Sequence, residues 1–157
     1  MRSDHATSIE RLYRERFAKF LRVAEAIAGE HEAARDAVQE AFIRALRHRR
    51  TFRGDGPLEG WVWRIVVNEA RRFSSPESRA RASTTEHTSD GRVPDGDLRA
   101  VIAALPERQR LAIFLRYYAD LDYAAIGDVL DVERGTVSAM LHAAHGNLRR
   151  GLEEAAR

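Results

Sequence analysis

One stretch of this chain contains almost nothing that a hydrophobic core could use, and it divides the rest in two. Residues 74–96, SSPESRARASTTEHTSDGRVPDG, hold one Val as their only large apolar side chain, together with Pro76, Pro94 and two glycines. Such a segment cannot bury enough apolar surface to offset the entropy of ordering it, so it reads as a linker. The expected organisation is a first domain over residues 1–73, a linker over 74–97 and a second domain over 98–157. Each flanking block must then build a core of its own. Twenty-three residues reach about 75–80 Å when extended. Two turns of B-DNA occupy about 70 Å, so the two blocks could touch one duplex two turns apart.

Both blocks carry helical periodicity. Thr7 with Glu10 three residues on reads as a capping box, followed by Ile9, Leu12, Tyr13, Phe17, Phe20, Leu21, Ala24 and Ile27 at helical spacing. Gly29 is the expected stop. A second helix carries Ala34, Ala37, Val38, Ala41, Phe42, Ala45 and Leu46 as its inward stripe, and Gly54, Asp55, Gly56 and Pro57 interrupt the pattern. A third helix over 58–73 is expected to bury Leu58, Trp61, Val62 and Ile65, with Trp63 off the main stripe. In the second block Asp97 is read as the N-cap of a short helix bearing Leu98, Val101, Ile102 and Leu105, which Pro106 ends. Leu111, Ala112, Leu115 and Tyr118 form the next stripe. Asp122 caps a short helix through Leu130, and a break over 131–135 leads into a final helix with Val137, Met140, Leu141, Ala144 and Leu148 inward. No strand alternation competes with these patterns, and the fold class expected is all-α, as two small helical domains.

Charge is uneven. Residues 1–73 hold 15 Lys+Arg against 11 Asp+Glu, whereas residues 98–157 hold 8 of each. A basic front half suggests a polyanionic partner. The chain has no cysteine, which excludes disulfides and thiolate metal sites. No apolar run approaches the roughly 18 residues of a membrane span, and MRSDHATSIER has no apolar stretch of a secretory signal. A cytoplasmic protein without membrane insertion is expected.

Three constellations could carry function. The short helix 123–130, a tight break and a helix opening near Thr136 have the spacing of a helix-turn-helix, with Ala125 and Gly127 where helices must approach closely. That arrangement presents the second helix's N-terminus to the major groove; spacing alone fits an ordinary αα-corner as well. Residues 52–72, FRGDGPLEGWVWRIVVNEARR, combine a Gly-rich loop, three aromatics and Arg53, Arg64, Arg71 and Arg72. Rings for unstacked bases and cations for the backbone are what single-stranded DNA requires, although the pattern also fits a packed helix after a solvated loop. The outer face of the second helix carries Arg35, Asp36, Gln39, Glu40, Ile43, Arg44 and Arg47. Mixed charge of this kind is ordinarily a solvated face, and Ile43 is its one hint of docking.

In this order, these segments resemble the extracytoplasmic-function (ECF) sigma factors, from about Ile9 to Leu152. DAVQEAFIRAL (36–46) looks like the family's polymerase-docking helix. FRGDGPLEGWVWRIVVNEARR is similar to its F-R-G … W-L-Y-R-I-A-x-N stretch. ALPERQRLAIFLRYYADLDYAAIGDVL (104–130) looks like its promoter-distal domain, and ERGTV (133–137) like the opening of its recognition helix. The resemblance implies docking of Asp36, Gln39, Glu40, Ile43 and Arg44 on the clamp helices of the largest subunit of core RNA polymerase. It implies minus-ten recognition by Phe52, Arg53, Gly54, Asp55, Trp61, Arg64, Asn68, Arg71 and Arg72, with a flipped base held at the loop. It further implies a second domain that holds the flap of the other large subunit and reads the minus-thirty-five element through Arg134, Thr136, Ser138, Ala139, His142 and Arg149. Partners would be core polymerase, promoter DNA and an anti-sigma factor; no cofactor, metal or catalysis by the chain itself is implied.

The chain departs from the family at the recognition helix. Where the family reads like G-T-V-K-S-R-L-x-R-A-R, this sequence reads GTVSAMLHAAHGNLRR, with Ser138, Met140, Ala143 and His145 at positions usually held by Lys or Arg. Asp131 stands where the family favours Gly, and Glu133 where it often has Pro. Phosphate neutralisation supplies much of DNA affinity, so a sigma-like adaptor with weak minus-thirty-five binding is an alternative reading. A stand-alone helix-turn-helix regulator is another, but such proteins usually dimerise and no heptad-patterned helix is present. His142 and His145, one turn apart, lack a third ligand for a metal. An enzyme is not supported: no nucleophile–base set emerges, and FRGDG lacks the lysine and helix position of a P-loop.

Overall fold

The structure, a computed structural model, describes residues 5–74 and 95–157, with side chains from 98 onward in the second part. The segment read as a linker falls largely outside the described residues. All regular structure among the described residues is helical. Helices α1 (His5–Ala28), α2 (His31–Arg47) and α3 (Leu58–Phe73) form one unit, with a single 3-10 turn at Arg49–Thr51; α4 (Asp95–Ala103), α5 (Glu107–Tyr117), α6 (Tyr123–Leu130) and α7 (Arg134–Ala155) form the other.

The helix ends follow local chemistry. Gly29 takes φ +84°, the left-handed conformation that costs glycine nothing, and its N–H donates to the Glu25 carbonyl at 2.9 Å. Asp122 caps α6 as expected, accepting from the Ala125 N–H at 2.8 Å. Two starts differ from expectation. Thr7 lies inside α1, so it cannot cap that helix. Helix α4 begins at Asp95, placing Asp97 within it instead of at its N-cap.

The first core is aromatic. Phe20 of α1 lies 4.1 Å from Trp63 of α3, centroid to centroid, and meets Phe42 of α2 edge-on at 5.1 Å. Four fully buried alanines of α2 (Ala34, Ala37, Ala41 and Ala45) let its neighbours approach closely. Here the two tryptophans exchange their expected places. Trp63 is 0% exposed, whereas Trp61 is only half-buried and lies 5.6 Å from the Phe52 ring. Helix α3 contacts both α1 and α2, so its buried arc runs over Val62, Trp63, Val66, Val67 and Ala70, about one residue's rotation from the stripe expected.

Glu69 lies at the edge of that arc and is the only buried charged side chain among the described residues, at 3% exposure. Arg44 of α2 meets it at 2.9 Å and Arg72 at 3.3 Å, tying α2 to α3. Replacing Glu69 with Ala strands this arrangement, and a loss of about 1–3 kcal/mol is expected for a charged hydrogen-bonding group of this kind. Denaturant titration checks it; Glu69→Gln, which keeps the volume and one acceptor, should lose less.

The second core gathers Leu111, Leu115, Ile126, Leu130, Val137, Leu141 and Ala144. Its turn is closed by Asp131 at φ +57° and by the Val132 N–H donating to the Gly127 carbonyl at 2.9 Å. The two units touch along α3 and α6. Lys19 pairs with Asp120 at 3.3 Å, Arg71 with Glu107 at 3.6 Å, and the Arg22 guanidinium sits 5.6 Å from the Tyr118 ring centre.

Candidate nucleic-acid interface

Helix α3 is two-faced. Opposite its buried arc lie Trp61, Arg64, Asn68, Arg71 and Arg72, which share one side of the helix by spacing. Arg64, Asn68 and Arg72 are exposed, Trp61 and Arg71 half-buried. The loop before the helix turns twice through glycine, at Gly54 (φ +79°) and Gly56 (φ +124°), and exposes Arg53 and Asp55. Phe52 anchors it, packed between Trp61 and the edge of the His5 ring at 5.3 Å. The nine residues expected at the minus-ten element are thus brought together as one loop and one helix face. Two arginines of the set already hold acidic partners: Arg72 pairs with Glu69 and Arg71 with Glu107.

The outer face of α2 exposes Asp36, Gln39 and Ile43, the last at 45% exposure. Glu40 and Arg44 sit lower and are paired to each other at 3.4 Å. Arg44 also holds Glu69, so it contributes to the fold as well as to this surface. Glu69 itself was missed in the sequence. The available signal was a carboxylate on the border of an apolar stripe with arginine three residues later.

Helices α6 and α7 cross through Gly127, where an added Cβ would stand 2.7 Å from the Val132 carbonyl oxygen. The three-residue break leaves the start of α7 open: Arg134, Gly135 and Thr136 are exposed, and the N-cap residue Glu133 makes no side-chain capping bond to its first N–H groups. Unsatisfied N–H groups at a helix start favour anions. All six residues expected to face the minus-thirty-five element (Arg134, Thr136, Ser138, Ala139, His142 and Arg149) are solvent-exposed. His145 is not equivalent to His142. Its Nε2 lies 2.9 Å from the Tyr117 hydroxyl, which ties α7 to α5. No group of three candidate metal ligands occurs among the described residues. None of their helices is long and apolar enough to cross a membrane.

The family model for Sigma-70 region 2 matches residues 12–80, and that for Sigma-70, region 4 matches residues 95–145. The chain belongs to the sigma-70 family. Its named relatives place it among the ECF members. It is 34% identical over 127 residues to the ECF RNA polymerase sigma-E factor of Escherichia coli (strain K12), covering 68% of this chain and 66% of that protein. It is 30% identical over 156 residues to the ECF RNA polymerase sigma factor SigE of Mycolicibacterium smegmatis, covering 90% of this chain and 60% of the relative. The chain therefore spans slightly under two thirds of the length of these relatives. Two solved structures share its fold. The sigma factor RpoE in complex with the anti-sigma factor NepR from Bartonella quintana has a TM-score of 0.73 at 20% identity, covering 93% of this chain and 97% of that one. CnrH in complex with the cytosolic domain of CnrY has a TM-score of 0.71 at 19% identity, covering 94% and 89%.

Proposed function

We propose that this chain is an ECF-type sigma factor that joins core RNA polymerase and directs promoter recognition, melting and initiation. The observation that carries the reading is the two-faced α3: its core face is sealed by Phe20 and Trp63, and its opposite face aligns Trp61, Arg64, Asn68 and two further arginines beneath a Gly-rich loop. In this reading the exposed loop 53–57 takes the flipped non-template base, the Trp61 and Phe52 rings support unstacked bases, and the arginines meet backbone phosphates. The outer face of α2 docks on the clamp helices through Asp36, Gln39, Glu40, Ile43 and Arg44. The second unit holds the flap and presents α7 to the minus-thirty-five element. The chemistry of synthesis belongs to the polymerase. The solved RpoE structure contains the anti-sigma factor NepR, which supports an anti-sigma partner for this chain too.

Transcription in vitro with core polymerase on genomic fragments, followed by start-site mapping, tests this. Failure to join core where another sigma factor succeeds would sink it. Asn68→Ala is the diagnostic variant. Asn68 is exposed, so its removal leaves folding intact; a lost base contact of about 1–3 kcal/mol lowers initiation roughly 5- to 150-fold.

A second reading, with the same polymerase docking but weak minus-thirty-five binding, is favoured by one observation. Between Arg134 and Arg149 the exposed side of α7 carries no Lys or Arg, only Thr136, Ser138, Ala139, His142, Ala143 and His145. Log affinity falls with log salt at about 0.9 per neutralised phosphate. The two readings separate by the salt slope of promoter binding: a shallow slope with little effect of minus-thirty-five substitutions supports the second, and a steep slope rejects it.

A further inference from the structure

We propose that Glu69 is a positioning residue for both proposed interfaces: one buried carboxylate that holds Arg44 toward the polymerase and Arg72 toward the minus-ten DNA. The inference rests on the sigma-factor reading, which gives each arginine a separate ligand and Glu69 none. The side chains of Glu40, Arg44, Glu69 and Arg72 form one charged chain from the outer face of α2 to the exposed face of α3. The Arg44 Nε donates to Glu40 Oε1 at 3.4 Å and lies 2.9 Å from Glu69 Oε1. The Arg72 Nη1 lies 3.3 Å from the same Oε1 and 3.5 Å from Oε2. Glu69 is buried, whereas the Arg44 and Arg72 side chains are 41% and 62% exposed. The carboxylate is thus closed to any partner, and the two guanidiniums are not.

Each guanidinium is anchored by one edge. Arg44 turns its Nε to both acids, which leaves its two terminal nitrogens for an outside acceptor. Arg72 uses Nη1, which leaves Nε and Nη2. A planar fork with one edge engaged presents its remaining donors in a fixed direction, as recognition of a carboxylate or a phosphate requires. An unanchored arginine loses more rotamer freedom when it binds, so anchoring in advance favours both contacts. Burial also forbids the two arginines from leaving Glu69 together, because an unpaired charge would remain in the core. Each arginine therefore meets its ligand while the shared carboxylate is still held.

Double-mutant cycles on the full chain test this, with affinity for core polymerase and initiation at saturating core as separate readouts. Glu69→Gln keeps the volume but removes the charge, and should lower each readout by roughly threefold to tenfold. In an Arg72→Ala background the effect of Glu69→Gln on initiation should shrink to within about twofold. In an Arg44→Ala background its effect on core affinity should shrink likewise. A residue that acts only through the fold gives the same loss with and without each arginine, so additive effects overturn the proposal. Wild-type values for Glu69→Gln in both readouts also overturn it. Should Glu69→Gln fail to fold by circular dichroism, Arg44→Lys and Arg72→Lys decide the matter. Both keep the charge and lose the oriented fork, so a severalfold loss of core affinity in the first and of initiation in the second is expected. Unchanged values in both reject positioning. If the wild-type chain itself fails to join core or to initiate, the sigma-factor reading falls and this inference with it.

Discussion

Trp63→Ala is expected to destabilise the first helical unit by about 3–5 kcal/mol, the usual loss when a large buried ring is deleted. The ring is fully buried, lies 4.1 Å from Phe20 and belongs to the core where α1, α2 and α3 converge, so its removal leaves a large cavity. Trp61→Ala, two residues earlier, should lose only about 1–2 kcal/mol, because its ring is half-exposed and leaves little cavity. Under the proposed function the order is the reverse. A base-stacking ring contributes about 1–3 kcal/mol per base, so if Trp61 stacks as proposed, Trp61→Ala should lower initiation roughly 5- to 150-fold in a folded protein. Trp63→Phe separates stacking from polarity. The buried indole N–H has no hydrogen-bond partner among the described residues, so replacing it should cost far less than Trp63→Ala. Denaturant curves beside initiation assays read out all three; equal stability losses for the two alanine variants would refute the assignment of Trp63 to the core.

The second large effect is expected at Gly127. A Cβ there would stand 2.7 Å from the backbone oxygen of Val132 and 3.7 Å from the Val137 side chain. Backbone in a three-residue turn cannot yield as a flexible side chain can, so α6 and α7 must separate. Alanine normally gains about 1 kcal/mol over glycine within a helix. Here overpacking outweighs that gain, and Gly127→Val, with two further methyl groups, should cost about 2–3 kcal/mol. It also re-aims α7, so under the proposed function protection of the minus-thirty-five region in footprinting should disappear while the proposed docking of α2 on core persists. A Gly127→Val protein with wild-type stability and footprint would show that the close crossing is not needed.

Much of this molecule is legible one helix at a time. The bounds of α3, the stop at Gly29, the cap at Asp122 and the exposure of Ile43 follow from periodicity, turn chemistry and capping, which act within a few residues. The all-α class and the family motifs are of the same kind. Expectations missed where a helix began earlier than its capping signal or where a local rule met a competing helix. Thr7 has capping chemistry, but the helix already extends past it; the expected stripe of α3 was turned because two neighbours, not one, define its buried side.

What residues 58–73 determined by themselves was a helix with one apolar and one basic-aromatic side. Which tryptophan entered the core, that Glu69 would be buried between Arg44 and Arg72, and that Gly60 and Arg71 would meet the second unit were decided only by the tertiary structure. The physical reason is range. Helical spacing records a chain's preference for one face, but the depth of burial and the partners of a charge depend on the angle and distance at which another helix arrives. The residues that set those quantities lie far away in sequence: Glu107 from Arg71, and Ala125 from Gly60.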